Sequence, residues 1–153
     1  MEFKKQVNIV NRRAKFEYFF KDTVEAGIQL TGTEVKSIRL NHVNLSDSYC
    51  DFKNGELYVI SMYIAEYENG TYNNHETRRE RKLLLKKREL KKLFKKKEEK
   101  GITIIPYKLY FSERGFVKLE IALAEGKKKH DKRAAIKERD NKRELDRLKK
   151  MDY

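Results

Sequence analysis

The residues of this sequence best suited to bind a partner are positively charged, and they recur in clusters. Lysine and arginine side chains bind phosphate oxygens, and neighbouring amide, hydroxyl and aromatic groups can contact ribose or unpaired bases. These residue types therefore predict a binding surface for a polyanion. The clusters are Asn11, Arg12, Arg13 and Lys15 with Tyr18 behind them, then Lys36, Ser37 and Arg39, then Arg78, Arg79, Arg81 and Lys82.

The C-terminal end of the chain is its most densely charged part. Residues 127–153 hold twelve Lys or Arg and six Asp or Glu. Good helix formers follow Gly126 without another Gly or Pro, but apolar residues are too sparse for a packed helix. We expect this tail to be disordered alone and helical when a polyanion neutralises it. A solvated end without function is the alternative.

The overall charge limits the classes of partner. The chain of 153 residues has a net charge of +13, and 40% of its residues are charged, which indicates a nucleic acid or an anionic membrane. A charged surface that only aids solubility is the other interpretation. No apolar run approaches the ~20 residues of a membrane-spanning helix. The N-terminal MEFKKQVNIV has no features of a signal peptide or a myristoylation site, so we expect a cytoplasmic protein without a membrane partner.

The sequence predicts neither a metal site nor a catalytic centre. Its single cysteine, Cys50, excludes an internal disulfide and a cysteine-rich zinc site, and a buried thiol is expected. The histidines, His42, His75 and His130, are too far apart in sequence to suggest a metal site. His130 and Asp131 could form an acid–base pair, but a tail without a core cannot position them. Phosphate-binding, metalloprotease and nucleophile-elbow motifs are missing, so we expect a binding protein without a cofactor rather than an enzyme.

The first half of the chain predicts strands with one short helix. Phe16–Phe20 and Val24–Leu30 are expected to form two strands. Thr31 and Glu34 stand at the spacing of a capping box, which predicts a short helix ending near residue 40. The pair Asn54-Gly55 predicts a tight hairpin between strands at residues 47–52 and 56–64.

A longer helix and a second hairpin complete the predicted body. Helix-forming residues run from Thr77 to Lys100, and Gly101 would end that helix. Ile102–Phe111 and Phe116–Leu123 alternate around a turn, and Pro106 indicates an edge position or a bulge. The elements together predict a mainly β fold, an OB-fold-like antiparallel β-barrel with about six strands and two to three helices. Residues 1–126 would form this barrel and residues 127–153 the basic tail.

Six stretches of the chain have a familiar form and order: NRRAKFEYFF, VEAGIQLTGTEVKSIR, NLSDSY, NHETRRERKLLLKKREL, KLYF and GKKKHDKRAAIKERD. With them the sequence closely resembles the SsrA-binding protein family, also called small protein B, over roughly residues 8–140. The resemblance implies an OB-like body that binds the tRNA-like domain of transfer-messenger RNA. The complex would enter the A site of a stalled ribosome, with the protein at the small-subunit decoding centre and message channel, for trans-translation. Elongation factor Tu and alanyl-tRNA synthetase would act on the same complex through the RNA.

The resemblance also implies roles for individual residues. Asn11, Glu25 and Leu84 match positions that bind RNA in the family, and Lys127 and Lys128 are expected to join them. Gly126 is expected to let the chain leave the barrel at an angle that other residues resist. The residues that match the ribosome-engaging start of the family tail are Gly126, His130, Asp131, Lys132 and Arg133.

Two other functions remain as alternatives on the residues alone. A general RNA-binding or ribosome-associated protein would share the barrel but bind unrelated RNAs with similar strength, because phosphate contacts carry no sequence information. An RNA-processing enzyme would need a set of catalytic residues, and the sequence offers none. The colinear stretches favour the transfer-messenger RNA partner over both.

Overall fold

The computed structural model describes residues 7–127 and 129–151 of the chain. Four helices lie in these ranges: α1 (Arg12–Glu17), α2 (Gly32–Arg39), α3 (Lys87–Lys97) and α4 (Lys129–Met151), with one 3-10 turn at Thr71–Asn73. Nine strands lie in the same ranges: β1 (Asn8–Val10), β2 (Tyr18–Ile28), β3 (Val43–Asn44), β4 (Tyr49–Lys53), β5 (Glu56–Ile60), β6 (Tyr63–Ile64), β7 (Arg81–Leu84), β8 (Ile102–Phe111) and β9 (Val117–Gly126).

Six of the strands form a closed antiparallel ring. Their order is β8, β4, β5, β7, β2 and β9, and β9 pairs back to β8 along nearly its whole length. Strand β1 pairs with the second half of β8, and β3 with β6 forms a separate two-stranded sheet. The ring and its helices confirm the predicted mainly β, OB-like architecture. The pairing around the ring is uneven: β2–β9 and β8–β9 pair over nine positions each, whereas β4–β8 pair at one position and β5–β7 and β2–β7 at two.

The core lies inside this ring. Side chains from opposite walls, such as Leu57, Val59, Leu119 and Ile121, are at most 1% exposed. They alternate with more exposed residues along their strands, as the period of two requires. Burying each such side chain stabilises the fold by roughly 1.5–3 kcal/mol. The interior is therefore filled by protein, and a partner must be recognised on the outside of the ring.

Local sequence signals correctly predicted the start of helix α2 and the turn between β4 and β5. Thr31 and Glu34 form the predicted capping box at the start of α2, and Asn54 and Gly55 join β4 to β5. Both hairpin residues have positive φ, 52° and 78°, which is what a tight hairpin between twisted strands needs. Pro106 stands at a shift in the β8–β9 register, so the predicted bulge is confirmed.

Two predicted elements were wrong. Residues 16 and 17 belong to helix α1, and β2 then runs unbroken for 11 residues instead of forming two strands. The predicted helix from Thr77 to Lys100 is divided into strand β7 and the shorter α3. Arg81 and Leu83 face inward while Lys82 and Leu84 face outward, so β7 has the period of a strand although its residues are good helix formers.

Helix α4 follows β9, and its described residues contact helix α1. The guanidinium of Arg139 lies 5.8 Å from the centre of the Phe16 ring on α1. Leu145 and Leu148 are 58% and 60% exposed, so this part of the helix is not packed against a core. The helical backbone agrees with the helix formers in the tail. The expected disorder of the free tail, and the division of the chain at residue 126, stay predictions.

Candidate nucleic-acid interface

One outer face of the ring, which we call the platform, collects side chains from four neighbouring strands. Leu84 on β7 pairs with Gly27 on β2, Gly27 with Lys118 on β9, and Lys118 with Tyr110 on β8. On β9 and β8 these residues alternate with fully buried ones, so their side chains point away from the core. The platform consists of this row and the next: Gly27, Leu84, Tyr110 and Lys118, then Glu25, Lys108 and Glu120.

The neighbours of Glu25 on the platform show what a carboxylate can contribute to the surface of a basic protein. Glu25 lies directly opposite Glu120, and Glu120 lies opposite Lys108. The hydroxyl group of Tyr110 donates a hydrogen bond to the Glu25 carboxylate. Burial and this hydrogen bond both raise the pKa of Tyr110, so the phenol remains a donor at neutral pH. A carboxylate held in this way can accept hydrogen bonds from a ribose hydroxyl or a base amino group, but it repels phosphate.

Gly27 permits the close approach of Leu84 to the sheet. A Cβ atom at position 27 would lie 3.2 Å from the Cβ of Leu84, so a larger residue would displace that leucine. Leu84 is 51% exposed beside a polar face. The platform therefore offers an apolar contact for a base or ribose next to the ammonium group of Lys118, which can bind a phosphate.

A second surface, which we call the α1 surface, holds cations over aromatic rings. The ammonium group of Lys15 lies 5.1 Å from the centre of the Tyr107 ring, and that of the platform residue Lys108 lies 5.3 Å from the same ring, so the two surfaces adjoin there. The ammonium group of Lys127 lies 4.8 Å from the Phe19 ring. The attraction between cation and ring restrains these side chains while their charges still face outward. This surface adjoins the end of β9, where the tail begins.

The other residues predicted for the α1 surface differ in exposure. Arg13 is exposed, and Tyr18 is half-buried against the small apolar cluster beneath α1. Asn11 is only 8% exposed, and its amide donates hydrogen bonds to the carbonyls of Pro106 at 3.1 Å and Leu45 at 3.4 Å. Asn11 therefore joins three segments of the fold, and its expected contact with RNA stays a prediction.

Two of the predicted RNA-binding cations belong to an internal ion cluster. Arg81 is fully buried, and its guanidinium donates to the Glu34 carboxylate and, at 2.6 Å, to the carbonyl of Met62. Arg79 donates to the same carboxylate at 2.6 Å, and its side chain is 34% exposed. A fully buried guanidinium cannot meet RNA, so the expectation for Arg81 is corrected to a structural role. Arg79 shares that role.

Glu34 is the centre of this ion cluster. Burial alone would raise its pKa, but hydrogen bonds from Arg79, from the backbone N–H of Thr31 and from Arg81 outweigh burial and lower it. Glu34 is therefore ionised at neutral pH although it is fully buried. The carboxylate caps helix α2 and fixes that helix to β7, 47 residues further along the chain.

Helix α2 presents two of its three predicted residues to solvent. Lys36 and Arg39 are exposed, and their charges lie 5.2 Å from the Tyr67 ring and 5.7 Å from the Phe111 ring. Ser37 is fully buried, and its hydroxyl donates to the Ala65 carbonyl at 2.7 Å. The expectation that Ser37 lies on the polar side of the helix is corrected, because one turn of α2 packs against the loop after β6.

The remaining predicted residues lie on β7 and near the start of the tail. Lys82 points outward from β7, 3.8 Å from Glu56, and Arg133 is exposed on α4. Gly126 does not have a positive φ, and a Cβ atom there would meet nothing within 4 Å. The expected conformational role of Gly126 is therefore corrected. Lys128 lies outside the described residues, as do the side chains of His130, Asp131 and Lys132.

Sequence reasoning missed five residues of the platform: Gly27, Lys108, Tyr110, Lys118 and Glu120. None of them was predicted to bind RNA: the four on β8 and β9 were interpreted as parts of a hairpin, although Lys108 and Tyr110 also lie in the family stretch KLYF. The signal was the alternation around Leu119 and Leu109, which places Lys118 and Tyr110 on the outer face. Their position beside Glu25 depended on the strand order, which periodicity does not give.

The described residues provide no metal centre or membrane span. Within residues 7–127 and 129–151, no three His, Cys, Asp or Glu residues are grouped so that they could hold a metal ion. In the same ranges, no helix is both long and apolar enough to cross a bilayer. Cys50 is 1% exposed, and burial raises the pKa of its thiol, which confirms the predicted buried thiol.

The fold and the two surfaces define a small, basic β protein built on a six-stranded ring, with charged and aromatic side chains on its outer wall. The chain belongs to the SmpB family, because the family model described as "SmpB protein" matches residues 8–151.

Individual relatives agree with this assignment. The chain is 56% identical to the SsrA-binding protein of Phocaeicola vulgatus over 93% of this chain and 95% of the relative. It is 57% identical to the SsrA-binding protein of Flavobacterium psychrophilum over 95% and 97%. A solved structure presented as "tmRNA-SmpB: a journey to the center of the bacterial ribosome" contains a similar chain, with 47% identity and a TM-score of 0.69 over 85% of this chain and 94% of that one.

Proposed function

We propose that this protein binds the tRNA-like domain of transfer-messenger RNA and delivers it to the A site of stalled ribosomes for trans-translation. The observation that carries the proposal is the identity of 56% over nearly the whole chain to a relative named as an SsrA-binding protein. The similar solved chain, presented as part of a tmRNA-SmpB structure with the ribosome, supports the same function.

The two surfaces suggest which part of the protein contacts which RNA. The platform joins an apolar contact, a positioned carboxylate and a lysine, which suits ribose and base edges of folded RNA better than phosphate alone. The α1 surface and the tail are richer in cations and suit contacts with ribosomal RNA at the decoding centre and message channel. Gly126, His130, Asp131, Lys132 and Arg133 remain the proposed ribosome-engaging residues, and Lys127 and Lys128 remain proposed RNA-binding residues.

The action proposed is binding and positioning, with no bond made or broken by the protein. Elongation factor Tu and alanyl-tRNA synthetase are proposed to act on the same complex through the RNA. The place of action would be the cytoplasm, where ribosomes translate. The RNA-binding residues retained in this proposal are Asn11, Arg13, Lys15, Tyr18, Glu25, Lys36, Arg39, Lys82 and Leu84, with Lys118 and Tyr110 added from the platform.

A competition gel shift over a range of salt concentrations tests this function. The labelled probe is the tRNA-like domain of transfer-messenger RNA and the competitor is an ordinary tRNA. The full-length protein is compared with a version that ends at Gly126. We expect the probe to be bound in preference to tRNA at physiological salt by both proteins, because the platform lies entirely before residue 126.

Two other results would overturn parts of the proposal. Equal affinity for both RNAs would support the alternative of a general RNA-binding protein. Loss of binding on truncation would show that the charge of the tail, rather than the platform, supplies the affinity. The matched control is a platform variant, Leu84→Ala with Lys118→Gln, in the full-length chain, which should lose the preference for the probe while keeping weak binding to both RNAs.

A further inference from the structure

Helix α3 carries an outward row of cations that the proposed function does not use. Lys87, Lys91 and Lys95 follow one another at a spacing of four residues, Arg88 lies three residues before Lys91, and all four are exposed. We call them the outer stripe. No carboxylate oxygen that the structure describes lies within 4.0 Å of their side-chain nitrogens.

The other three lysines within α3 have partners. Lys92 pairs with Asp22 of β2 at 3.5 Å, Lys96 with Glu99 at 3.9 Å, and Lys97 with Asp51 of β4. We call these lysines, at positions 92, 96 and 97, the inner set. The same helix therefore holds one group of cations that is balanced by carboxylates of the protein and one group that is not. The unbalanced charge attracts an anionic partner.

The packing of the apolar residues of α3 indicates whether the anionic partner of the outer stripe is a lipid surface or a nucleic acid. An amphipathic helix that binds a membrane inserts its apolar side into the lipid. Leu93 is only 2% exposed and Leu90 packs against the core, while the Phe94 ring contacts the Phe52 ring with 5.2 Å between centres. Most of the apolar side is thus packed against the protein, although Phe94 is 50% exposed, and the outer stripe itself offers only charge.

The outer stripe begins close to the platform along the chain. Leu84, the last residue of β7, belongs to the platform, and only two residues separate it from the first residue of α3. Along the helix, four residues rise by about 6 Å, so Lys87, Lys91 and Lys95 form a regular line of charge. Lysine binds phosphate as a point charge, and such a line suits consecutive phosphates of one RNA strand.

We infer that the outer stripe of α3 binds the phosphate backbone of the same RNA that the platform holds, and so lengthens that interface by the length of the helix. The inference rests on the proposed function for the identity of the RNA. The stripe supplies affinity and a strong dependence on salt, while the platform supplies the preference for one RNA.

The test compares two variants that remove the same number of charges from the same helix. The first is K87Q/K91Q/K95Q in the outer stripe, and the second is K92Q/K96Q/K97Q in the inner set. Binding of the isolated tRNA-like domain and of tRNA is measured from about 0.05 to 0.3 M salt. The stripe variant should reduce the slope of log affinity against log salt by about two to three, with roughly 10- to 100-fold weaker binding at low salt for both RNAs.

The inner-set variant should change the slope by less than about one, because its lysines already face carboxylates. A third variant, K87R/K91R/K95R, keeps the charge and should bind as the original protein does. Thermal denaturation followed by circular dichroism tests whether all variants are folded. Equal effects of the first two variants would overturn the inference, because they would show that only net charge matters.

The remaining outcomes separate this inference from the proposed function and from a lipid partner. If the original protein binds tRNA and the tRNA-like domain equally, the proposed function fails, yet the stripe effect can still be measured on either RNA. Sedimentation with vesicles of phosphatidylglycerol and phosphatidylcholine tests the lipid partner. A stripe variant that loses vesicle binding but keeps its RNA salt slope would overturn the inference.

Discussion

Two neighbouring basic segments of this chain, the one around β7 and helix α3, look alike in sequence and have opposite roles in the structure. In the first, Arg81 is fully buried and Arg79 partly so, and both donate to the carboxylate of Glu34. In the second, the outer stripe is exposed and has no such partner among the described residues. The density of cations in a sequence therefore does not show whether they stabilise the fold or bind a ligand.

The difference follows from the period of each segment. In β7 every second residue faces the interior, so Arg81 must be inside if Leu83 is inside. A buried guanidinium requires a partner, and Glu34 supplies it from α2. In α3 the apolar residues need only one side of the helix, so most of its cations remain outside.

The largest effect is expected from removing the partner of the buried arginines. Glu34→Gln should lower the free energy of unfolding by about 3–5 kcal/mol, because it leaves a buried guanidinium without its counter-charge. Urea denaturation measures this effect. The control is Glu99→Gln, which removes an exposed carboxylate 3.9 Å from Lys96 and should cost less than about 1 kcal/mol. Similar losses in both variants would contradict the comparison.

A second variant tests the same contrast by removing the charge of Arg81 together with that of Glu34. Glu34→Gln combined with Arg81→Met should be more stable than Glu34→Gln alone, because no fully buried charge is then left unpaired and the remaining cation, Arg79, is 34% exposed. The coupling energy between the two substitutions, obtained from a double-mutant cycle in urea, should reach roughly 1–3 kcal/mol. A coupling near zero would mean that Arg81 is balanced by its carbonyl partners alone.

Low pH should remove the contribution of the Glu34 carboxylate to the unfolding free energy, and the Glu34→Gln variant should lack this pH dependence. The folded-state pKa of Glu34 lies below its ordinary value of 4.5, so its contribution to stability is complete above that value and is lost as the pH falls through the lower folded-state pKa. The difference in unfolding free energy between the original protein and Glu34→Gln should therefore be constant near pH 7 and shrink below about pH 4.5. A difference that stays constant to pH 3 would show that the loss in the variant is one of packing.

The smallest effect on stability is expected from the outer stripe itself. K87Q/K91Q/K95Q should change the unfolding free energy by no more than about 0.5 kcal/mol, because these side chains are exposed and pair with no described carboxylate. The same variant should have the largest effect on RNA salt dependence. A loss of several kcal/mol would mean that the stripe has a structural partner, and the contrast with β7 would disappear.

The sequence indicated the fold class and the turns more reliably than the site. The capping box at Thr31, the hairpin at Asn54 and the bulge at Pro106 each depend on residues that lie close together in the chain. Predictions for Ser37 and Arg81 failed because their partners, Ala65 and Glu34, lie 28 and 47 residues away. A cluster of cations in the sequence gave no information about these distant partners.

The sequence by itself determined the basic charge, the alternating strands, the colinear family stretches and the absence of known catalytic motifs, because each of these is local or compositional. The tertiary structure decided which of the cations face solvent, since burial depends on the closure of six strands into a ring. It also assembled the platform, because Leu84, Gly27, Lys118 and Tyr110 become neighbours only through the pairing of four strands from distant parts of the chain. Strand order is fixed by long-range packing of the core, and for that reason the recognition surface could not be predicted from residue spacing alone.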